Sequence, residues 1–287
     1  MIGVQIEGPA RQYTQYLGKN TFAVDHVYWS DCEPEPGHYV WPADLDADQA
    51  ALKPWPVVLN VKSCPPWARM FPDIRCSAPK GKYLDDYGRF VRAVVERYRP
   101  WAVEVWNEPE PTAQEAAGFN GLLGGFGPEL AGHYGSMVAQ VYKALKGTGT
   151  LVLAGALMMG DRGRAFWAKA RKTARGKYHG VSFHCYVTHP SGDWAAIEAK
   201  AKALRETGEK APLWVTETSY LVNSEFTDAQ KSLQAQYAAY VFDNYRALGV
   251  EHLAWYSLAG NGWKHSDLIE KGQKPAYAEY IKRSSAL

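Results

Sequence analysis

A chain of 287 residues with 46% hydrophobic content can bury one large core, and a single α/β barrel of about 250 residues would need no second domain. Against 30 Asp and Glu stand 32 Lys and Arg, a net charge of +2, which leaves no electrostatic footprint for nucleic acid or an acidic membrane surface and favours a neutral partner. The 11 Trp and 18 Tyr suit stacking on sugar faces as well as a Trp-rich core, and composition alone does not choose between the two. No run of about 20 apolar residues marks a membrane span, and Ile2 to Glu7 reads as a strand rather than a signal peptide, so localisation stays open. Cys32, Cys64, Cys76 and Cys185 lack zinc-type spacing; Cys64 and Cys76 can bridge within one loop, with buried free thiols as the alternative.

In chain order, strand and helix alternate eight times. Ile2 to Glu7 is the first strand, followed by a weak helical stretch from Arg11 to Leu17 and a stop at Gly18. Thr21 to Trp29 is the second, running into a Pro- and Gly-punctuated loop, Ser30 to Gly37, ahead of a short helix at Asp44 to Leu52. Pro56 to Val61, almost wholly apolar, reads as a strand covered on both faces. Tyr83 to Tyr98 places Tyr87, Phe90, Val91, Val94, Val95 and Tyr98 on one helical face, and Pro100 ends it. Ala102 to Trp106 is the fourth strand, and a Gly-rich connection through Phe119 to Gly127 is the longest loop.

Helix His133 to Lys146 leads to strand five, Leu151 to Ala156, and helix Arg164 to Arg175 to strand six, Gly180 to Tyr186. Asp193 is a candidate cap for helix Trp194 to Glu206, which delivers the chain to strand seven, Leu213 to Glu217. Ala229 to Leu248 is a long helix, His252 to Ser257 the eighth strand, and Pro275 to Lys282 the closing helix. Eight such units at this length predict a single (β/α)8 TIM barrel over residues 1–287, and no Gly-rich phosphate fingerprint follows strand one to support an open dinucleotide-binding sheet.

Catalytic groups in such barrels come from the carboxyl ends of different strands, where Glu108 and Glu217 both stand. Hydrolysis of a glycosidic bond needs one carboxyl group to protonate the leaving oxygen and another to meet the oxocarbenium-like carbon. The bland alternative is a pair of solvated loop carboxylates, which two matched contexts argue against. Ser182, His184 and Tyr186 alternate on one face of strand six and can line the same site, or else be a packed Tyr and a satisfied core His. Glu104, two residues below Trp106, points too deep for substrate and reads as structural, whereas Glu33 and Glu35 read as solvated.

Val103-Glu104-Val105-Trp106-Asn107-Glu108-Pro109 resembles the strand-four motif of clan A retaining glycoside hydrolases, and Trp214-Val215-Thr216-Glu217 resembles their strand-seven motif. Trp29 to Pro34 with Gly37 to Trp41, Ser182 to Tyr186, Pro65 to Ala68 and Lys274 to Tyr277 are similar to further segments of the clan. The resemblance covers nearly the whole chain and is strongest in the branch holding β-xylosidases and related exo-acting enzymes. It implies a retaining β-glycosidase with a carbohydrate substrate and no metal or organic cofactor. Glu108 would be the general acid and base, Glu217 the nucleophile, and Asn107 the partner of the sugar 2-hydroxyl. Tyr186 would hydrogen-bond Glu217, His184 would set the local charge, and Trp255 would floor the innermost sugar. Trp29, Trp67 and Trp106 are looser candidates for substrate contact. The chain departs from the pattern at Val24, where many clan members carry an arginine near the nucleophile; Lys62 or His26 is the candidate replacement. Two rivals stand beside this reading: a catalytically weak carbohydrate-binding barrel, and a metal-dependent hydrolase drawing on Asp25, His26 and His184, which lack a recognisable ligand spacing.

Overall fold

Short apolar runs bounded by turn residues become eight parallel strands in the computed structural model, which describes residues 1–111, 125–190 and 192–285. They are β1 (Ile2–Gln5), β2 (Thr21–Tyr28), β3 (Val57–Lys62), β4 (Ala102–Val105), β5 (Leu151–Leu157), β6 (Gly180–Thr188), β7 (Leu213–Leu221) and β8 (His252–Trp255). Each strand pairs with the next and β8 pairs back onto β1, so the sheet closes and keeps no free edge. The fold is the (β/α)8 barrel that the alternation predicts. Most of the Gly-rich connection expected from Phe119 to Gly127 lies outside the described residues.

Helices wrap the barrel where the periodicity places them. Leu84–Tyr98 buries Tyr87, Phe90, Val91, Val94 and Val95 against the strands, then stops at Arg99, which is left-handed ahead of Pro100. The other long helices are Ala43–Leu52, Ala131–Ala144, Asp161–Ala174, Ala196–Glu206, Asp228–Asn244 and Pro275–Ser284. The stretch from Arg11 to Leu17 forms two 3₁₀ turns instead of a helix, and β2 ends one residue early because Trp29–Cys32 makes a single helical turn. Asp193 accepts a hydrogen bond from the Ala195 amide (2.9 Å) just ahead of the helix that starts at Ala196. No helix among the described residues is long and apolar enough to cross a membrane.

The barrel interior is layered. At its amino-terminal end Phe22, Val24, Val58, Ala102, Leu153, Trp214 and Ala254 form a dry cluster of their own. Two residues further along the strands the filling turns polar. Asn60 donates to Glu104 Oε2 (2.5 Å) and Thr216 donates to Glu104 Oε1 (2.7 Å). Because β4 and β7 are not neighbours, the Thr216 bond crosses the interior and ties opposite walls together. Glu104 is thus structural, as its depth predicts.

Above this layer the strands lose regularity. Ser63, Trp106, Glu108 and Ala156 all adopt positive φ (64°, 71°, 42° and 50°) at the carboxyl ends of β3, β4 and β5. Non-glycine residues held there cost about 1 to 3 kcal/mol each, and such strain gathers at functional sites. All four cysteines are buried free thiols, so Cys64 and Cys76 do not form the bridge that their shared loop allows; Cys76 Sγ instead faces Ser63 Oγ at 3.7 Å.

Candidate active site

Glu108 and Glu217 meet above the polar layer, and local backbone irregularities aim both of them. Positive φ at Trp106 turns the indole out of the barrel to pack on Tyr87 and Phe126, with ring centroids 5.7 and 5.6 Å away. The following residues then sit at the barrel mouth. On β7 the register with β6 slips by one, since Phe183 pairs with Val215 but His184 with Glu217. A bulge of this kind re-aims side chains beside active sites. Thr216 therefore reaches down to Glu104 while its neighbour Glu217 reaches the mouth.

One carboxylate oxygen of Glu108, one of Glu217 and one ring nitrogen of His184 all lie within 4.8 Å of one another, and all three residues are buried. His184 Nδ1 is 2.8 Å from Glu108 Oε1 and 3.3 Å from Glu217 Oε2. The Tyr186 hydroxyl donates to Glu217 Oε2. His184 and Tyr186 thus share a face of β6, as the two-residue period predicts; Ser182 on the same strand accepts from the Ala156 amide (2.8 Å) below the mouth. Asn107 is buried with Oδ1 unpartnered, an acceptor for a hydroxyl.

Burial and the Glu108 charge push Glu217 above the ordinary carboxylate range, while His184 and the Tyr186 hydroxyl oppose them. Burial alone would discharge His184, yet Glu217 and the hydrogen bond to Glu108 overcome it and raise the imidazole to about 9. The charges of His184 and Glu217 thus depend on each other. Glu108, His184 and Glu217 are the one trio among the described residues with metal-ligand proximity, but the His184 nitrogen involved already bonds to Glu108. Asp25 and His26 do not join it. Asp25 Oδ2 accepts from Gln49 (2.6 Å) on the surrounding helix, and His26 Nε2 lies 3.1 Å from Glu7 Oε1.

A second charged group flanks the first. Gln5 donates to Glu7 Oε1 (2.7 Å), and Lys62 Nζ stands 3.5 Å from His26 Nε2. Against the effect of burial, His26 and Lys62 hold Glu7 down to about 2. Lys62 is itself kept charged by Tyr28, Glu7 and Glu217, which outweigh its burial. Val24 belongs to the dry layer below, so positive charge reaches the site from Lys62 and His26 instead.

Two aromatic expectations and one acidic one are corrected. Trp255 points outward, fully buried among Tyr237 and Phe242 with its Nε1 donating to Ser266 O, because Ala254 takes the inward position on β8. The next residue, Tyr256, reaches the mouth instead, 5.7 Å from the Tyr186 ring. Trp29 is fully buried against Trp67, Tyr87 and Phe90 and has no free face for substrate. Glu33 is likewise no solvated loop acid: it is buried and accepts from Trp29 Nε1 (2.5 Å) and the Gly37 amide (2.6 Å), while Glu35 is exposed. Trp67 is half-buried and bonded to Glu33 O. Tyr256 and Trp263 stand outside the expected site residues, although the parity set by inward Ala254 points to the first.

No family model and no curated protein matches the sequence. Solved structures do. A family 39 glycoside hydrolase from Bacteroides cellulosilyticus WH2 superposes with a TM-score of 0.69 at 18% identity, covering 99% of this chain, which spans 63% of that protein. The intracellular xylanase TsXylA of Thermoanaerobacterium saccharolyticum gives 0.70 at 14% identity over 98% of this chain and 94% of that one. A GH128 endo-β-1,3-glucanase from Sorangium cellulosum gives 0.65 at 13% identity over 100% and 99%. Over nearly its whole length this chain shares the (β/α)8 fold of barrel glycoside hydrolases.

Proposed function

We propose that the chain is a retaining β-glycoside hydrolase that cleaves β-linked oligo- or polysaccharides by double displacement. The observation that carries this reading is the approach of Glu108 and Glu217 carboxylate oxygens to within 4.8 Å. Retaining pairs stand about 5 to 5.5 Å apart, whereas inverting pairs leave about 6.5 to 9.5 Å for a water.

Glu217 attacks the anomeric carbon while Glu108 gives its proton to the leaving oxygen, forming a glycosyl ester and releasing the aglycone. Glu108, now a carboxylate, takes a proton from the water that attacks the same carbon, and the Glu217 carboxylate departs. Two inversions restore the configuration. Donation from Tyr186 favours the anionic form of Glu217, the form a nucleophile needs. His184 holds both carboxyl groups, and Asn107 Oδ1 accepts the sugar 2-hydroxyl.

The two glutamates should fail differently. Glu217→Ala should abolish turnover whatever the leaving group. Glu108→Ala should still cleave an aryl glycoside with an acidic phenol but deglycosylate slowly, by about 10² to 10⁴-fold. Added azide needs no general base, so it should rescue Glu108→Ala with the β-glycosyl azide and Glu217→Ala with the α-anomer. Product anomers by NMR decide, and the opposite pairing would reverse the assignment.

A further inference from the structure

Two residues beyond Glu108 the chain buries another carboxyl group, which the double displacement does not use. Glu110 is 4% exposed, and its Oε2 is buried without a hydrogen-bond partner. An acceptor left bare in the interior is costly and calls for a reason. The other oxygen supplies one. Glu110 Oε1 accepts from the Met158 amide (2.5 Å) and the Met159 amide (3.2 Å) in the loop after β5. This is not the capping of a helix, because both donors precede Gly160, the N-cap of Asp161–Ala174. Gly163 in that helix belongs to the same arrangement, since a Cβ there would sit 2.7 Å from Oε1.

The gripped loop also carries the backbone of Glu108. The Glu108 amide donates to Ala156 O (3.1 Å), and the Ala156 amide donates to Ser182 Oγ (2.8 Å). Glu108, Ala156 and Met159 have φ of 42°, 50° and 54°, which residues other than glycine keep only where their surroundings impose it. Pro109, with its φ fixed by the ring, joins Glu108 to Glu110, so little slack separates the grip from the strained residue. On the far side of the loop Lys200, from the helix Ala196–Glu206, donates to Met158 O (2.7 Å) and to His184 O (2.9 Å). Met158 is thus held at its amide and its carbonyl, and the bonds run from the Glu108 segment to the strand of His184.

We infer that Glu110 is a positioning residue: through Met158 and Met159 it holds the backbone of Glu108 in the strained conformation from which the Glu108 carboxyl reaches the leaving oxygen. This rests on the glycosidase reading of the same site. The grip needs an acceptor oxygen rather than a charge. Burial and the Glu108 charge raise the Glu110 carboxyl to about 7 against the amides that donate to it, so it is partly neutral near neutral pH, and Oε1 accepts in either state.

The test compares dinitrophenyl and phenyl β-glycosides of whichever sugar the wild type turns over fastest, xylose, xylobiose, cellobiose and laminaribiose among those tried. A dinitrophenolate leaves almost unaided, whereas a phenolate needs the proton of Glu108. In Glu110→Ala, kcat/KM for the phenyl glycoside should fall about ten- to hundredfold more than for the dinitrophenyl one, the scale of a displaced catalytic group. Glu110→Asp keeps the charge but is one methylene short; it should show the same split, and it guards against failure of the Ala variant to fold. Glu110→Gln keeps an acceptor oxygen and should leave the ratio of the two substrates at its wild-type value. Equal losses on both substrates, or none, would overturn the inference and leave the glycosidase reading standing. So would a Gln variant as discriminating as Ala, which would make the charge the cause. A wild type that turns over no aryl β-glycoside would sink the glycosidase reading and this role with it.

Discussion

His184 is the residue on which the electrostatics of the mouth turn, because it faces both carboxyl groups and is itself buried. Its value of about 9 against an ordinary 6.5 means the folded protein binds that proton more tightly than the unfolded chain. The corresponding stability is fully present below about pH 6.5 and is lost as pH rises through about 9. Asp25 (about 6) and Glu110 (about 7) are raised mainly by burial and act in the same direction at lower pH, but they are common to wild type and variant. Between pH 6.5 and 9 the wild type should therefore lose about 2 to 3 kcal/mol more than His184→Gln, several degrees of Tm. Thermal melts at both pH values measure it. Parallel curves would show that His184 is neutral in the folded protein.

At the scale of elements, the strands and most helices were legible because apolar runs and turn residues carry them, while parity near the site was not. The bulge in β7 places Thr216 and Glu217 on one side, which a strict two-residue alternation forbids, and a register slip leaves no mark in residue type. Trp255, which the resemblance makes the floor of the innermost sugar, falls to the same parity, because the inward Ala254 fixes it outward. The helix at Asp161–Ala174 starts three residues ahead of the expected Arg164 and takes in Gly163, where Glu110 Oε1 lies 2.7 Å from where a Cβ would sit, so glycine admits that carboxylate. The helix Asp228–Asn244 has a readable start, Thr227 and Gln230 forming a reciprocal capping box. Thr227→Ala removes the side-chain acceptor for the Gln230 amide and should cost about 1 kcal/mol, or about 2 °C in Tm, without altering KM. A loss of activity at unchanged Tm would mean that the β7 loop, rather than the helix, depends on this cap.

For the whole molecule, the closed strand order bears on how it unfolds. Every strand is paired on both sides, and the bond from Thr216 to Glu104 links opposite walls, so no part of the sheet can leave without opening the rest. We propose that residues 1–287 form one cooperative unit, and the four thiols offer a way to see it. Cys32 follows β2, Cys64 and Cys76 lie after β3, and Cys185 is on β6, across the barrel from the others. Burial keeps all four thiols above their ordinary range, Cys32 at about 12, so they are slow to react while the fold holds. In rising urea, a thiol reagent added briefly without reductant should label all four with one midpoint, coincident with the loss of far-UV ellipticity. Mass spectrometry of the labelled peptides assigns each site. Separate midpoints for Cys185 and for the three early cysteines would divide the barrel into two folding units. Only two reactive thiols in the fully unfolded protein would mean that Cys64 and Cys76 are bridged after all.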